Sequence, residues 1–326
     1  MGWYYLVISQ IFRSKFFFFI FFLETFFHNS SLINALNNLE SYEIKRLEIM
    51  TEPIKFEHVK IEKVEEGNYA VISIIRPDKL NALQNQTLYE ISKALESVEV
   101  DTSVRCVVIR GTKEFTKKPS FSAGADLSSR GDRGPTLDFS NLRHRGHAMY
   151  LRHRYYDLIE AFPKPIIAAV DGFALGGGLE LVLVCDLVIA SKRSQFGFPE
   201  IKRGIFPGNG GTQRMIRHLG KMRVNRMAYF GEHFTAEQMN EWGFISFLVD
   251  DDKFEEFVQE KASWLGNAAT NSLYVIKKCI QYGTQVPLNV GLQFEYWGYA
   301  LNSTSQDSME GVRAFNEKRA PKFQGK

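Results

Sequence analysis

Residues 174–184 read ALGGGLELVLV, so a short apolar run passes through three glycines into a second apolar run. This order is typical of a strand that turns into a helix, and glycines at such a turn let a ligand approach the backbone closely. The free N–H groups of a first helical turn, together with the helix dipole, favour developing negative charge. The stretch therefore predicts an α/β fold with an anion-stabilising turn at residues 176–178.

Glu180 is the only charged residue between Asp171 and Asp186 and lies three residues after Gly177. This spacing puts Glu180 and Gly177 on one helix face, and helical side chains lean toward the N-terminus of their helix. A lone carboxylate in so apolar a helix is costly unless it has a task or a partner. We expect a catalytic carboxylate beside whatever binds at the Gly177 N–H. A solvated helix residue is the alternative.

Glu200 ends a second notable stretch, FGFPE at residues 196–200. A proline at the first helical position followed by a glutamate is also an ordinary helix start, so a structural role explains this stretch equally well. If Glu200 shares a cleft with Glu180, the two carboxylates can divide acid and base roles.

Two glycine-containing stretches are less specific. FSAGAD at 121–126 follows a strand and is compatible with a plain turn. PGNGGT at 207–212 lacks the lysine of a phosphate-binding loop, so we interpret it as a turn that starts a helix. The polar segment 127–147 predicts a mobile loop, which we expect to cover a substrate pocket.

The remaining pattern alternates strands and helices. Apolar runs typical of strands occur at 69–75, 104–109, 166–170 and 187–190. Patterns typical of helices lie between them at 87–98 and 150–162. This alternation predicts mostly parallel pairing. After Gly231 the chain reads as mainly helical, at 253–265, 270–282 and 289–301. We therefore expect an α/β core at 50–250 and a helical C-terminal part at 251–326.

Residues 1–49 differ from the rest. Their apolar run at 16–23 is too short for a membrane span, which needs about 20 apolar residues. No clear small-residue cleavage site follows it. Three interpretations stay open: a protein start at Met50 preceded by upstream translation, a membrane anchor or targeting segment, or a folded part of the protein. Membrane contact is expected only if this prefix is real.

Composition excludes several classes of function. A net charge of +3 over 326 residues is too small to indicate binding to nucleic acid or a membrane surface. The three cysteines are odd in number, and they lack disulfide or metal-site spacing. We expect a cytoplasmic protein without a metal. The histidines at 144, 147 and 153 show no catalytic or metal spacing and are expected on a solvated surface.

Several motifs in order resemble the crotonase superfamily, the enoyl-CoA hydratase/isomerase family, over residues 56–323. They are RPDKLNAL at 76–83, FSAGAD at 121–126, IAAVDG at 167–172, ALGGG with Glu180, FGFPE at 196–200, PGNGGTQR at 207–214 and EKR at 317–319. The resemblance implies a crotonase-like spiral of ββα units. It also implies a helical C-terminal trimerisation part and therefore a homotrimer or a dimer of trimers.

The resemblance also implies a site. Ala123 and Gly177 would supply the two backbone N–H groups of an oxyanion hole, and Glu180 and Glu200 would be the catalytic pair. The coenzyme A and substrate contacts would be Lys79, Ala82, Ala123, Gly124, Ala125, Asp126, Gly176, Gly177, Phe315 and Lys318. Coenzyme A would be part of the acyl-CoA thioester substrate, with no separate cofactor.

Two retained glutamates favour an enoyl-CoA hydratase. The alternative is an enoyl-CoA isomerase or another enzyme that stabilises the enolate of a CoA thioester. An RNA-binding member of the family would need a lysine-rich helix, whereas the helical pattern at 87–98 contains only Lys93. An inactive scaffold would have lost a glutamate or the glycines, and all of them are present.

Overall fold

The computed structural model describes residues 55–114, 118–128 and 142–326, and residues Phe56–Lys326 form one compact unit. The phenylalanine-rich prefix and most of the predicted loop at 127–147 lie outside the described residues, as does the side chain of His144. The predictions made for them stay predictions.

The main sheet has six strands in the order β1-β2-β3-β5-β7-β10. β1 is antiparallel to β2, and the other neighbours are parallel. Its strands are β1 Val59–Val64, β2 Tyr69–Ile74, β3 Cys106–Gly111, β5 Ile166–Val170, β7 Leu187–Ser191 and β10 Phe247–Val249. The prediction of mostly parallel pairing is confirmed.

A second sheet has the order β4-β6-β8-β9 and is parallel except for the β8–β9 pair. Its strands are β4 Ser120–Ser122, β6 Phe173–Leu175, β8 Gln195–Gly197 and β9 His233–Thr235. Each of β4, β6 and β8 follows a strand of the main sheet along the chain. The motifs FSAGAD, ALGGG and FGFPE therefore leave this second sheet at neighbouring positions.

Nine α-helices complete the part of the chain that the structure describes. They are α1 Asn85–Glu99, α2 Leu142–Ala161, α3 Gly177–Val182, α4 Gly211–Phe230, α5 Ala236–Glu241, α6 Phe254–Gly266, α7 Thr270–Gly283, α8 Leu288–Asn302 and α9 Gln306–Asn316. The region after Gly231 is mainly helical, as predicted, although it also contributes the short strands β9 and β10.

Both faces of the main sheet are covered. Successive strand side chains point to opposite faces, so Val107 and Ile109 join one buried cluster while Cys106 and Val108 join another. Helix α1 buries Leu88, Ile91, Leu95 and Val98 in the first cluster, the face that the sequence spacing predicted. Helix α6 packs in the second cluster. Within the described ranges, every helix is too short or too polar to cross a membrane.

Candidate active site

The turn between β6 and α3 is built on Gly176, as the sequence predicts. Gly176 has φ 51°, a value that L side chains rarely adopt. A Cβ atom at this position would also lie 2.9 Å from Glu200 Oε1. The backbone of Gly176 and the carboxylate of Glu200 therefore lie in direct contact, which a side chain at position 176 would prevent.

Glu180 is buried in α3, with 1% of its surface exposed. Its Oε1 accepts hydrogen bonds from Asn209 N at 2.7 Å and Gly211 N at 2.9 Å, and its Oε2 accepts one from Asn209 Nδ2 at 2.5 Å. Three N–H donors stabilise a carboxylate strongly because bonds to a charged acceptor are short and strong. The alternative of a solvated Glu180 is therefore wrong.

The loop at 207–210 supplies the two donors of Asn209, and the first residue of α4 supplies the Gly211 N–H. Gly210, with φ 99°, caps helix α4, so the prediction of a turn that starts a helix is confirmed. The anion that this glycine-rich turn binds is the side chain of Glu180. Sequence reasoning missed Asn209, although its place in a glycine-rich turn just before a helix was a usable signal, because free N–H groups gather there.

Glu200 lies in a short 3-10 helix, Pro199–Arg203, and is half-buried. Burial raises the pKa of Glu200 to about 7, and the negative charge of Glu180 acts in the same direction. Its Oε2 is buried and has no hydrogen-bond partner among the described residues. At neutral pH, Glu200 can therefore exist as either the acid or the carboxylate.

One cavity of about 1100 Å³ is lined by both Glu180 and Glu200. Ala123, Gly124, Ala125, Asp126, Gly176 and Gly177 line the same cavity. Thus eight of the predicted site residues, which come from three separate stretches of the chain, lie around one volume.

Ala123 does not offer a free N–H to this cavity. Its N–H donates to Leu80 O at 2.9 Å. This hydrogen bond contradicts the expectation that Ala123 supplies an oxyanion-hole donor, because an N–H group carries a single proton and here that proton faces Leu80.

Ala125 has the required orientation instead. Leu83 forms a parallel bridge with Ala125, in which Leu83 N–H donates to Gly124 O at 2.7 Å and Asp126 N–H donates to Leu83 O at 2.9 Å. The C=O and N–H of a trans peptide point in opposite directions, so the Ala125 N–H, which shares its peptide with Gly124 O, points away from Leu83. A Cβ atom at Gly177 would lie 3.5 Å from Ala125 N, so the two backbones lie side by side.

Gly177 is the first residue of α3, so its N–H has no partner within the helix. The hydroxyl of Tyr156, a fully buried residue of α2, donates to Gly177 O at 3.0 Å. Tyr156 therefore fixes the peptide that follows this N–H. Sequence reasoning treated Tyr156 only as part of a helical pattern.

Four of the predicted coenzyme A contacts, Lys79, Ala82, Phe315 and Lys318, do not line the cavity. Lys79 is exposed in the 3-10 turn Pro77–Lys79, and Phe315 is 83% exposed on α9. Their role in binding stays a prediction. Among the residues that the structure describes, no group of three His, Cys, Asp or Glu side chains could hold a metal ion.

An α/β spiral whose cavity joins two glutamates to a pair of backbone amides defines the class of protein. A family model described as enoyl-CoA hydratase/isomerase matches residues 65–326. The 2,3-dehydroadipyl-CoA hydratase of Escherichia coli K12 is 36% identical over 256 residues, which are 78% of this chain and 95% of that protein. The short-chain-enoyl-CoA hydratase of Clostridium acetobutylicum is 33% identical over 266 residues, covering 82% of this chain and 97% of that protein.

A solved structure agrees with these sequence matches. The enoyl-CoA hydratase subunit I of Geobacillus kaustophilus superposes with a TM-score of 0.75 and 34% identity, covering 84% of this chain and 100% of that one. The chain belongs to the enoyl-CoA hydratase/isomerase family and has the crotonase fold.

Proposed function

We propose that this protein is an enoyl-CoA hydratase, which adds water reversibly across the 2,3 double bond of a 2-enoyl-CoA to give a 3-hydroxyacyl-CoA. The observation that carries the proposal is the presence of Glu180 and Glu200 in one cavity beside the Gly177 amide. Coenzyme A enters as part of the substrate. We propose no separate cofactor and no metal.

The thioester carbonyl oxygen accepts hydrogen bonds from the N–H groups of Gly177 and Ala125, with Ala125 replacing the residue that the sequence suggested. These donors stabilise the enolate-like charge that develops when water attacks the β-carbon. Each such donor typically contributes about 3–4 kcal/mol in the transition state.

The two glutamates hold the attacking water and divide its chemistry. Glu180, whose carboxylate form is stabilised by three N–H donors, orients the water and accepts its proton. Glu200 delivers a proton to the α-carbon. A pKa of about 7 suits this role, because the acid form is populated at neutral pH and can still give up its proton.

Steady-state hydration of crotonyl-CoA tests the proposal. We expect Glu180→Gln and Glu200→Gln each to lower turnover by at least about 100-fold, the low end for a general acid or base. Glu256→Gln, which changes an exposed glutamate of α6, is the matched control. Near wild-type rates in either site variant would refute the two-carboxylate mechanism.

An isomerase shuttles one proton with one glutamate and adds no water. Incubation of a 2-enoyl-CoA and of a 3-enoyl-CoA, each in water enriched in oxygen-18, separates the two activities. A hydratase incorporates the label into a 3-hydroxyacyl-CoA when given the 2-enoyl isomer, whereas an isomerase forms an unlabelled 2-enoyl-CoA from the 3-enoyl isomer.

We also propose a homotrimer or a dimer of trimers, built by the C-terminal part at 251–326. Helix α8 buries none of its side chains within the single chain, and Tyr296, Trp297, Tyr299 and Leu301 are each at least 61% exposed. So large an apolar surface is typical of a protein interface. Light scattering should give three or six times the mass of one chain, and Trp297→Glu should reduce that multiple. A cytoplasmic location likewise stays a proposal.

A further inference from the structure

The cavity contains cationic side chains that the hydration mechanism does not use. Arg152 of α2 lines it together with Lys202 and Arg203, which follow Glu200 in the 3-10 helix. None of the three forms an ion pair with a carboxylate in the described part of the chain. His233 lines the same cavity, and burial and the charges of Lys202 and Arg203 lower its pKa.

Among the described residues that line the cavity, each of the three carboxylates is ion-paired, hydrogen-bonded or partly protonated. Asp126 forms an ion pair with Arg76 at 2.8 Å, and Glu180 accepts its three N–H donors. Glu200 is partly protonated at neutral pH, since its pKa is raised to about 7. The described residues that line the cavity therefore have an excess of positive charge, which favours an anionic group of the ligand.

Arg152 has the geometry of a carboxylate receptor. Its Nε–H donates to Asn85 Oδ1 at 2.9 Å, which holds the guanidinium from one side. A guanidinium carries five N–H donors, so the four on its terminal nitrogens are left without a hydrogen bond among the described residues. Two parallel N–H groups of this kind match the two oxygens of a carboxylate.

The position of Arg152 relates it to the acyl chain. Met149, Arg152 and Tyr156 lie on one face of α2, at helical spacing. Tyr156 contacts Gly177, where the thioester oxygen is expected, and Met149 Cε lies 3.4 Å from where a Cβ of Gly208 would be.

This face of α2 therefore runs from the oxyanion-hole amides toward the loop that holds Glu180. Arg152 lies about 6 Å along the helix axis from Tyr156, given a rise of about 1.5 Å per residue. An acyl chain whose carbonyl is bound at Gly177 and whose β-carbon faces Glu180 extends in the same direction.

We propose that Arg152 binds a carboxylate at the far end of the acyl chain, so that the preferred substrates are 2-enoyl-CoA thioesters of dicarboxylic acids. The proposal rests on the hydratase function proposed above and assigns its substrate class. Lys202 and Arg203 add attraction for the same anionic group, whereas Arg152 supplies the directed hydrogen bonds.

Two substrates of equal length test this preference. One is hex-2-enoyl-CoA, and the other is the six-carbon 2-enoyl-CoA whose sixth carbon is a carboxylate. We expect wild-type kcat/KM to be about 10- to 100-fold higher for the carboxylate-ended substrate, as a charge-assisted bidentate contact allows. Equal kcat/KM for the two substrates would overturn the proposal.

Three variants assign the preference to Arg152. Arg152→Gln should lower the ratio of the two kcat/KM values by at least about 10-fold. Arg152→Lys should give an intermediate ratio, because it keeps the charge but loses the planar fork. Arg217→Gln, which removes an exposed charge of α4 outside the cavity, should retain the wild-type ratio.

Three outcomes would overturn the proposal in different ways. If Arg152→Gln lowers both kcat/KM values equally, Arg152 serves the coenzyme A part that the substrates share. If crotonyl-CoA is hydrated but the wild type shows no preference, only this inference fails. If crotonyl-CoA is not hydrated either, the proposed hydratase function fails with it. The wild-type comparison decides the case even if a variant does not fold.

Discussion

Glu180 and Glu200 line one cavity, but the chain surrounds them in opposite ways. Glu180 is held by three N–H donors from Asn209 and Gly211, at the start of helix α4. Glu200 has a buried oxygen with no partner in the described structure, and burial raises its pKa to about 7. Two residues of the same chemical type thus have different surroundings, because one carboxylate accepts three hydrogen bonds whereas burial without a partner for Oε2 raises the pKa of the other.

The largest effect on turnover is expected at Gly177, which supplies a proposed oxyanion-hole N–H and lies in the same helix as Glu180. Gly177→Pro removes one N–H donor and should lower kcat by about 100- to 1000-fold. Helix α3 should persist, because proline is tolerated at the first helical position. Steady-state hydration of crotonyl-CoA measures the loss.

Gly177→Ala is the matched control for this change. It keeps the N–H, and its Cβ would meet its nearest neighbour at 3.5 Å, an ordinary contact distance. A comparable loss in both variants would show that shape at position 177 matters rather than the donor, and the oxyanion role of Gly177 would then be abandoned.

A smaller effect on kcat/KM is expected when the pH is raised above 7. If Glu200 must be protonated to deliver the α-proton, kcat/KM for hydration should fall about tenfold per unit above an apparent pKa of about 7. The charged groups acting on Glu200 are Glu180, which raises this pKa, and Arg203, which lowers it. A profile of kcat/KM from pH 5 to pH 9 measures this falling limb above the apparent pKa.

The reverse reaction provides an internal check of this pH effect. Hydration takes up no net proton, so kcat/KM for dehydration of the 3-hydroxyacyl-CoA must fall along the same limb. A flat profile above pH 7 in both directions would exclude Glu200 as the proton donor. Arg203→Gln should move the limb to higher pH, because it removes a charge that lowers the pKa of Glu200.

The same contrast shows what the sequence could predict. The glycines at 176–178 and the spacing of Glu180 are local features, so the strand-to-helix turn and the buried carboxylate followed from them. The partners of Glu180 lie 29 and 31 residues away and depend on how two elements pack. Spacing along the chain carries no information on such contacts.

The choice between Ala123 and Ala125 had a different cause. Both residues are small and flank Gly124, whose φ of 99° departs from the extended geometry in which the N–H groups of residues i and i+2 point the same way. Only the bridge to Leu83 fixes which N–H faces the cavity. The strand β10 was missed because it has three residues, too few for an alternating pattern to be recognised.

The smallest effect concerns the free energy of unfolding. Replacing Glu200 or Glu180 by glutamine should change it with opposite signs. The raised pKa of Glu200 means that its protonated form is favoured in the folded protein. Its contribution to the free energy of unfolding is complete below the unfolded pKa of about 4.5 and is lost as pH rises through about 7. Glu200→Gln should therefore be more stable than wild type at pH 8 by about 1–2 kcal/mol, with allowance for partial exposure, and should lose the advantage near pH 4.5.

Glu180→Gln should instead be less stable by about 1–2 kcal/mol, because the N–H groups of Asn209 and Gly211 lose a charged acceptor. Urea denaturation of both variants at pH 5 and pH 8 measures these differences. Changes of the same sign in the two variants at pH 8 would mean that the surroundings of Glu180 and Glu200 do not differ in the way their hydrogen bonds indicate.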